Sequence, residues 1–232
     1  MKPFVFQQFQ ILQDDEVFRV GTDGVLLGVL CEVKNASRVL EVGAGTGVIS
    51  LMLAQRNPEA CFTALDVNPK AAELAALNFN QSPFSERMRV LHQDFKSFES
   101  AECFHLIVCN PPYFEVNDSD KDVLARQTLE LDWRVLLDAS FPLLEDCGRI
   151  SVIIPSETAP EMEQYAAGLG LFLLRKVNVF GIRNGVLKRN VLEFSKTSGE
   201  MVTEDFVIEK SPRNYSDQYL EVTKDFHVFG KK

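Results

Sequence analysis

The sequence predicts a doubly wound α/β domain, a mostly parallel sheet with helices on both faces and an antiparallel strand pair near its C-terminal end. Three observations predict it. From Arg38 onward, short apolar runs alternate with segments of helical periodicity, the order that threads parallel strands through crossover helices. A glycine-rich turn follows the first of these runs and opens the next helix, as doubly wound sheets require where they bind a nucleotide. Two extended runs, Leu171–Phe180 and Leu187–Phe194, are joined by Gly181-Ile182-Arg183-Asn184-Gly185, whose Asn-Gly marks a turn between neighbouring strands.

In chain order, Phe4–Ile11 and Glu16–Val20 read as the two alternating runs of a hairpin around Gln13-Asp14-Asp15. Thr22 or Asp23 is placed to cap a helix with Val25, Leu26, Val29 and Leu30 at helical spacing. Strands are expected at Val39–Val42, Cys61–Leu65, Met88–Leu91, Leu106–Cys109 and Arg149–Ile154. Helices are expected at Val48–Gln55, Lys70–Phe79, Trp133–Leu144 and Glu157–Ala167. Thr203–Glu209 reads as one more strand, and Tyr215–Asp225 as a short terminal helix or loop. No repeat, low-complexity tract or long linker divides the chain, so residues 1–232 are expected to form one domain. Residues 1–37 supply its N-terminal hairpin and helix, and residues 196–232 a C-terminal extension.

Composition narrows the function. The 46% hydrophobic and 25% charged fractions fit a folded protein. The longest charge-free run, Val42 to Gln55, has 14 residues, whereas a bilayer span needs about 20, so no membrane span is expected. The N-terminus carries no basic, apolar and cleavage-site sequence of a secretory signal, which makes a cytoplasmic protein the expectation. Cys31, Cys61, Cys103, Cys109 and Cys147 form no C-x-x-C pair, and the three histidines are far apart, so neither a disulfide framework nor a metal site is expected. The net charge is −9, which argues against binding nucleic acid over the whole surface. The charge is segregated, however: residues 1–174 hold 13 basic and 25 acidic groups, and residues 175–232 hold 11 and 8.

The turn Glu41-Val42-Gly43-Ala44-Gly45-Thr46-Gly47 has G-x-G-x-G spacing with a carboxylate two residues ahead, and Val48 stands where the dinucleotide fingerprint wants a glycine. Small residues let a ligand approach the backbone, but Glu41 is a poor neighbour for a pyrophosphate. A ligand bearing an ammonium and a sulfonium suits it, which points to S-adenosylmethionine (SAM). Asp66, 25 residues after Glu41 at the end of the second strand, is placed to accept both ribose hydroxyls. Asp94 ends the third strand, where it can accept from an adenine amino group with Phe95 flanking the ring.

Val108-Cys109-Asn110-Pro111-Pro112-Tyr113-Phe114 closes the fourth strand. Two prolines fix φ and remove two backbone donors, leaving carbonyls free. A planar amino group has two hydrogens, and the Asn110 side-chain oxygen and Pro111 carbonyl can accept one each. That draws the nitrogen lone pair toward an electrophilic methyl. Tyr113 is placed to stack on the ring carrying the amine. Cys109 reads as a small buried residue rather than a nucleophile.

The glycine turn together with Asn-Pro-Pro-Tyr resembles the amino-group SAM-dependent methyltransferases over roughly residues 37–155. Val20–Gly28, Leu187–Phe194, Tyr215–Tyr219 and Thr223–His227 extend the likeness to the bacterial valine-tRNA (adenine-37-N6)-methyltransferases, with His227 where that family leads one to expect an aromatic. The resemblance implies a Rossmann-like methyltransferase sheet, SAM as cofactor, and N6-methylation of the adenine 3′ of the anticodon. It implies Asn110, Pro111, Pro112 and Tyr113 as catalytic residues. It also implies cofactor contacts from Asp23, Glu41, Gly43, Ala44, Gly45, Gly47, Asp66, Asn68, Asp94, Phe95 and Asn110. The partner implied is a tRNA anticodon stem-loop, with no DNA, membrane or obligate protein partner. Its expected contacts are Arg183, Lys188, Arg189 and Lys224 in the basic C-terminal part, assisted by Lys231 and Lys232, with Arg126 and Arg134 as the alternative surface. Protein-glutamine methylation is the rival reading, since a glutamine amide is also a planar NH₂, although only 37 residues precede Arg38 where such enzymes carry a long helical domain. A SAM-fold binding protein without catalysis is a further alternative.

Overall fold

A computed structural model of the chain describes residues 2–112 and 131–227. Strands β1 (Phe4–Val5) and β2 (Gln10–Ile11) form a small antiparallel pair, followed by helix α1 (Thr22–Leu30). Then come β3 (Arg38–Val42), α2 (Val48–Arg56), β4 (Cys61–Asp66), α3 (Pro69–Asn80), β5 (Met88–His92) and β6 (Phe104–Cys109). The second half holds α4 (Trp133–Leu143), β7 (Leu144–Pro155), α5 (Ala159–Gly168), β8 (Phe172–Ile182) and β9 (Leu187–Ser195). It ends with β10 (Val202–Ser211), β11 (Asn214–Tyr215) and α6 (Asp217–Thr223).

One nine-stranded sheet runs in the order β11-β10-β8-β9-β7-β6-β3-β4-β5. Pairs from β5 through β7 are parallel, and β9 runs antiparallel to both β7 and β8. Side-chain alternation splits the core in two. Val39, Phe62, Leu106 and Ile153 join α1, α2 and α3 on one face. Leu40, Ile107 and Val152 join Leu136 and Leu137 of α4 and Met162 of α5 on the other. Strand order reverses between β3 and β6, the switch point at whose carboxyl edge such sheets bind ligands.

Glycines let α1 pack closely on α2. A Cβ on Gly24 would stand 3.3 Å from Val48 Cγ1, and one on Gly28 would stand 2.8 Å from Met52 Sδ. The two helices therefore run in the same direction, and the first turn of α1 lies beside the first turn of α2.

Several expectations are corrected. The hairpin lies wholly inside the first run, with Phe6 N donating to Phe9 O across the turn, and Glu16–Val20 is a loop. Turning at Gln7-Gln8 brings Phe6 and Phe9 into a stack with ring centroids 4.7 Å apart and buries both with Ile11. Neither Thr22 nor Asp23 caps α1: both lie within its first turn, Gly21 is the N-cap and no side chain bonds there, while Asp23 accepts from Arg189. Leu144 begins β7 rather than ending the helix before it, and α5 starts at Ala159 rather than Glu157.

The antiparallel pair is β8 and β9, and it is not the end of the sheet. β10 adds itself parallel to β8, from Val202↔Arg175 to Glu209↔Ile182. Its outer edge is closed by α6. Gln218 Oε1 accepts from Val207 N at 3.0 Å and Gln218 Nε2 donates to Asp205 O at 3.1 Å, occupying groups that would otherwise template another strand. Tyr215–Asp225 resolves into a helix capped by Ser216, whose side chain accepts from Tyr219 N. His227 fills its aromatic position by shape, stacking on Phe6 (5.9 Å, 15°) and Tyr219 (6.0 Å, 24°).

Candidate active site

Val42 and Cys109 are register partners on β3 and β6, so the glycine turn and Asn110 leave the sheet from adjacent positions. Gly43, Gly45 and Gly47 all have positive φ, at 77°, 53° and 78°. Their reasons differ. A Cβ on Gly43 or Gly45 would meet nothing within 4 Å, whereas one on Gly47 would stand 2.5 Å from Phe79 Cε1. Gly47 is thus demanded by helix packing, and Gly43 and Gly45 border open space. The turn is held by Gly43 N and Ala44 N donating to Leu65 O, each at 2.9 Å.

Glu41 is 1% exposed. Its Oε2 accepts from Ser50 N at 3.1 Å, while Oε1 is buried with no hydrogen-bond partner. Burial pushes its pKa up to about 8, with the Asp66 charge adding a little and Ser50 opposing. Asp66 Oδ2 accepts from Gly45 N at 2.8 Å and Oδ1 from Asn68 N at 2.9 Å, and burial raises its pKa. These two bonds leave lone pairs for further donors. Asn68 caps α3 by accepting from Lys70 N at 3.0 Å.

Asp94 caps the 3-10 turn Phe95–Ser97, accepting from Lys96 N at 2.9 Å. Phe95 is 4% exposed within the core, leaving little of its surface for a ligand. Asn110 is half-buried, Pro111 buried and Pro112 exposed. Tyr113 lies outside the described residues, as do Arg126, Lys231 and Lys232. Burial raises the Cys109 thiol pKa far above its usual value, so it is no nucleophile at neutral pH.

Asp23 sits in the first turn of α1 and accepts from Arg189 Nε at 2.9 Å. Arg189 therefore reaches toward the glycine turn. Arg183 and Lys188 lie exposed on the turn and strand that follow β8. Lys224 pairs with Glu221 at 2.5 Å and is not brought to them. Asp225 O beside it accepts from Gln55 Nε2, near the far end of α2, a helix about 13 Å long. Arg134 is held by Glu161 and Asp132.

Sequence reasoning missed Ser50 and Asn78. Asn78 is fully buried, donating to Thr46 O at 2.9 Å and Leu12 O at 3.1 Å and accepting from Leu12 N at 2.8 Å. It clamps the glycine turn to the N-terminal segment. Its signal was a polar residue on the apolar face of an alanine-rich helix. A cleft of about 320 Å³ lies at the opposite, amino edge of β3–β6. Its Arg87 is occupied by the carbonyls of Ala54, Asn57 and Ala60.

A glycine turn at the switch point, facing an Asn-Pro-Pro segment one strand away, belongs to a methyltransferase with a Rossmann-like fold. Residues 14–154 match the methyltransferase small domain. A predicted O-methyltransferase from Agrobacterium tumefaciens shares the fold with a TM-score of 0.67 over 88% of this chain and 96% of that one, at 17% identity. A ribosomal protein L11 methylase from Lactobacillus delbrueckii subsp. bulgaricus does so with 0.56 over 78% and 82%, at 17% identity. Relatives named tRNA1(Val) (adenine(37)-N6)-methyltransferase are far nearer in sequence. One from a Flavobacteriaceae bacterium (strain 3519-10) is 52% identical over 99% of this chain and 100% of its own length. Another, from Bacteroides thetaiotaomicron, is 35% identical over 97% of each. The chain belongs to the tRNA1(Val) (adenine(37)-N6)-methyltransferase family. Family and fold imply use of SAM, and the residues present fit it: Oε1 of Glu41 lacks a donor, and the open flank of Gly43 and Gly45 admits a ligand to the backbone.

Proposed function

We propose that this enzyme methylates N6 of adenine 37, 3′ of the anticodon, in a valine tRNA, with SAM as donor. The observation that carries this reading is the Val42↔Cys109 register, which sets the cofactor turn and the amine-holding Asn110-Pro111 beside each other. When bound, SAM supplies an electrophilic methyl on a sulfonium. The chain's own residues do the rest. Glu41, with Asp23 across the turn, offers carboxylate oxygens to the ammonium, and Gly43, Ala44, Gly45 and Gly47 form the small-residue floor. Asp66 accepts the ribose hydroxyls, with Asn68 fixing its rotamer through the bond to Oδ1. Asp94 would accept from the adenine amino group, with Phe95 next to it in sequence.

At the other side, Asn110 Oδ1 and Pro111 O accept the two N6 hydrogens of the target base, Pro112 stiffens the loop, and Tyr113 stacks on the base. No strong base is needed, because the amine proton becomes acidic only as the new N–C bond forms. The target must leave its neighbours to enter, which costs least in an unpaired loop. The turn before β9 and the start of that strand bear the RNA contacts, through Arg183 and Lys188. Mass spectrometry of tRNA nucleosides from strains with and without the gene tests the reading, and loss of N6-methyladenosine from valine tRNA is expected. Label from SAM entering a release-factor glutamine instead of tRNA would establish the rival.

A further inference from the structure

Among the large apolar side chains described, Phe18 is 87% exposed and Val186 74%, well above any other. Each stands on a segment that is otherwise firmly held. In the loop before α1, Val17 is buried, Glu16 pairs with Lys70 at the start of α3, and Val20 N donates to Gln13 Oε1 at 3.2 Å. Leaving this phenylalanine in water forgoes the gain that burying an aromatic ring ordinarily brings. Val186 lies on the β8–β9 turn, where Arg183 N donates to Glu209 O and Gly185 N to Ile182 O, both at 2.9 Å.

The two segments are clasped to each other. Asp23, five residues after Phe18, accepts from Arg189, three residues after Val186. The clasp lies at the carboxyl edge of the sheet, since α1 starts beside α2 and Arg189 is the register partner of Pro155 at the end of β7. Arg183 and Lys188 flank the second arm, and neither has an ion-pair partner among the described residues.

We propose that these arms form an RNA-docking lip. Phe18 stacks on an unpaired base next to the target adenine, Val186 extends the apolar face, and Arg183 and Lys188 meet the phosphates. The proposal rests on the reading that the enzyme methylates tRNA. An unpaired RNA loop is the occupant whose chemistry fits, since its splayed bases present flat apolar faces while its backbone supplies the negative charge. A duplex keeps its bases stacked inward and offers Phe18 nothing.

Trp133 is the single tryptophan, so Phe18→Trp combined with Trp133→Phe makes the lip the only indole reporter. Titrating the full chain with an anticodon stem-loop RNA is expected to quench its fluorescence, and a duplex of equal length is expected to leave it unchanged. In methylation assays Phe18→Ala is expected to raise the KM for tRNA roughly tenfold, in the range of one lost base stack. SAM affinity should not change, and Phe18→Tyr should restore the KM. An unchanged KM in Phe18→Ala, or equal quenching by the duplex, overturns the lip while methylation by the wild type stands. A wild type that places no methyl on tRNA overturns the lip together with the reading beneath it.

Discussion

Burial pushes the Glu41 carboxyl up to about 8 in the ligand-free chain against about 4.3 in an unfolded chain, and an ammonium beside it would favour the ionised form. Between those values the folded state holds a proton that the unfolded state lacks. Stability therefore falls as pH rises through that window and levels off above about 8, with a slope of about 1.4 kcal/mol per pH unit for this group. Glu41→Gln, neutral throughout, is expected to flatten the decline in urea midpoints, and an equally steep decline would assign it to another group. Asn110 belongs to the other half of the reaction. Asn110→Ala is expected to lower single-turnover methylation roughly 10²-fold, as for loss of a group acting in the transition state. Calorimetric affinity for SAM should stay near the wild-type value, and a parallel loss of both would make Asn110 a cofactor ligand instead. Asn110 was legible in the sequence because Pro111 and Pro112 strip the loop of donors. The raised pKa of Glu41 was not, because it comes from burial that exists only in the folded chain.

At the scale of elements, the glycine turn separates two demands that look identical in sequence. Gly45 and Gly47 both have positive φ, a conformation that costs an alanine about 1–2 kcal/mol. Only at Gly47 would the new Cβ also strike the buried Phe79 ring, adding about 1–3 kcal/mol of overpacking. Gly47→Ala is therefore expected to lose clearly more stability than Gly45→Ala, and Gly45→Ala to lose more SAM affinity relative to its stability. Thermal melts and calorimetry check the pair, and equal effects of both on both readouts would contradict the distinction. The central strands were legible because a parallel strand buried on both faces gives a continuous apolar run, and α3 and α4 because each carries a periodic buried face. The hairpin was misread because alternation over Phe4–Ile11 does not show where the chain turns. That is set by the stack of Phe6 on Phe9 and by His227, more than two hundred residues away. The parallel pairing of β10 with β8 is likewise a tertiary arrangement, with Gln218 and Ser216 covering the other edge.

At the scale of the whole molecule, the question is how a chain of net charge −9 holds a polyanion. Residues 1–174 carry the acidic excess and residues 175–232 the basic one, and the fold brings part of the latter to the edge where the methyl-transfer residues lie. It does so selectively. Arg175 is turned inward to Glu193 and Glu204, Arg189 is committed to Asp23, and Lys224 sits toward the opposite end of α2. Arg183 and Lys188 remain exposed on the turn and strand after β8, so they are expected to carry the phosphate contacts there. Each neutralised phosphate contributes about 0.7–0.9 to the slope of log affinity against log salt. Changing Arg183 and Lys188 together to alanine is expected to flatten that slope by roughly one to two units and to weaken tRNA binding at low salt. SAM affinity should be untouched, since both side chains are exposed to solvent. Arg189→Ala should do the reverse, leaving the slope nearly unchanged while loosening the first turn of α1 and weakening SAM binding. If the double variant keeps the wild-type slope, the phosphates meet the protein elsewhere, and Arg126 and Arg134 become the charges to remove next.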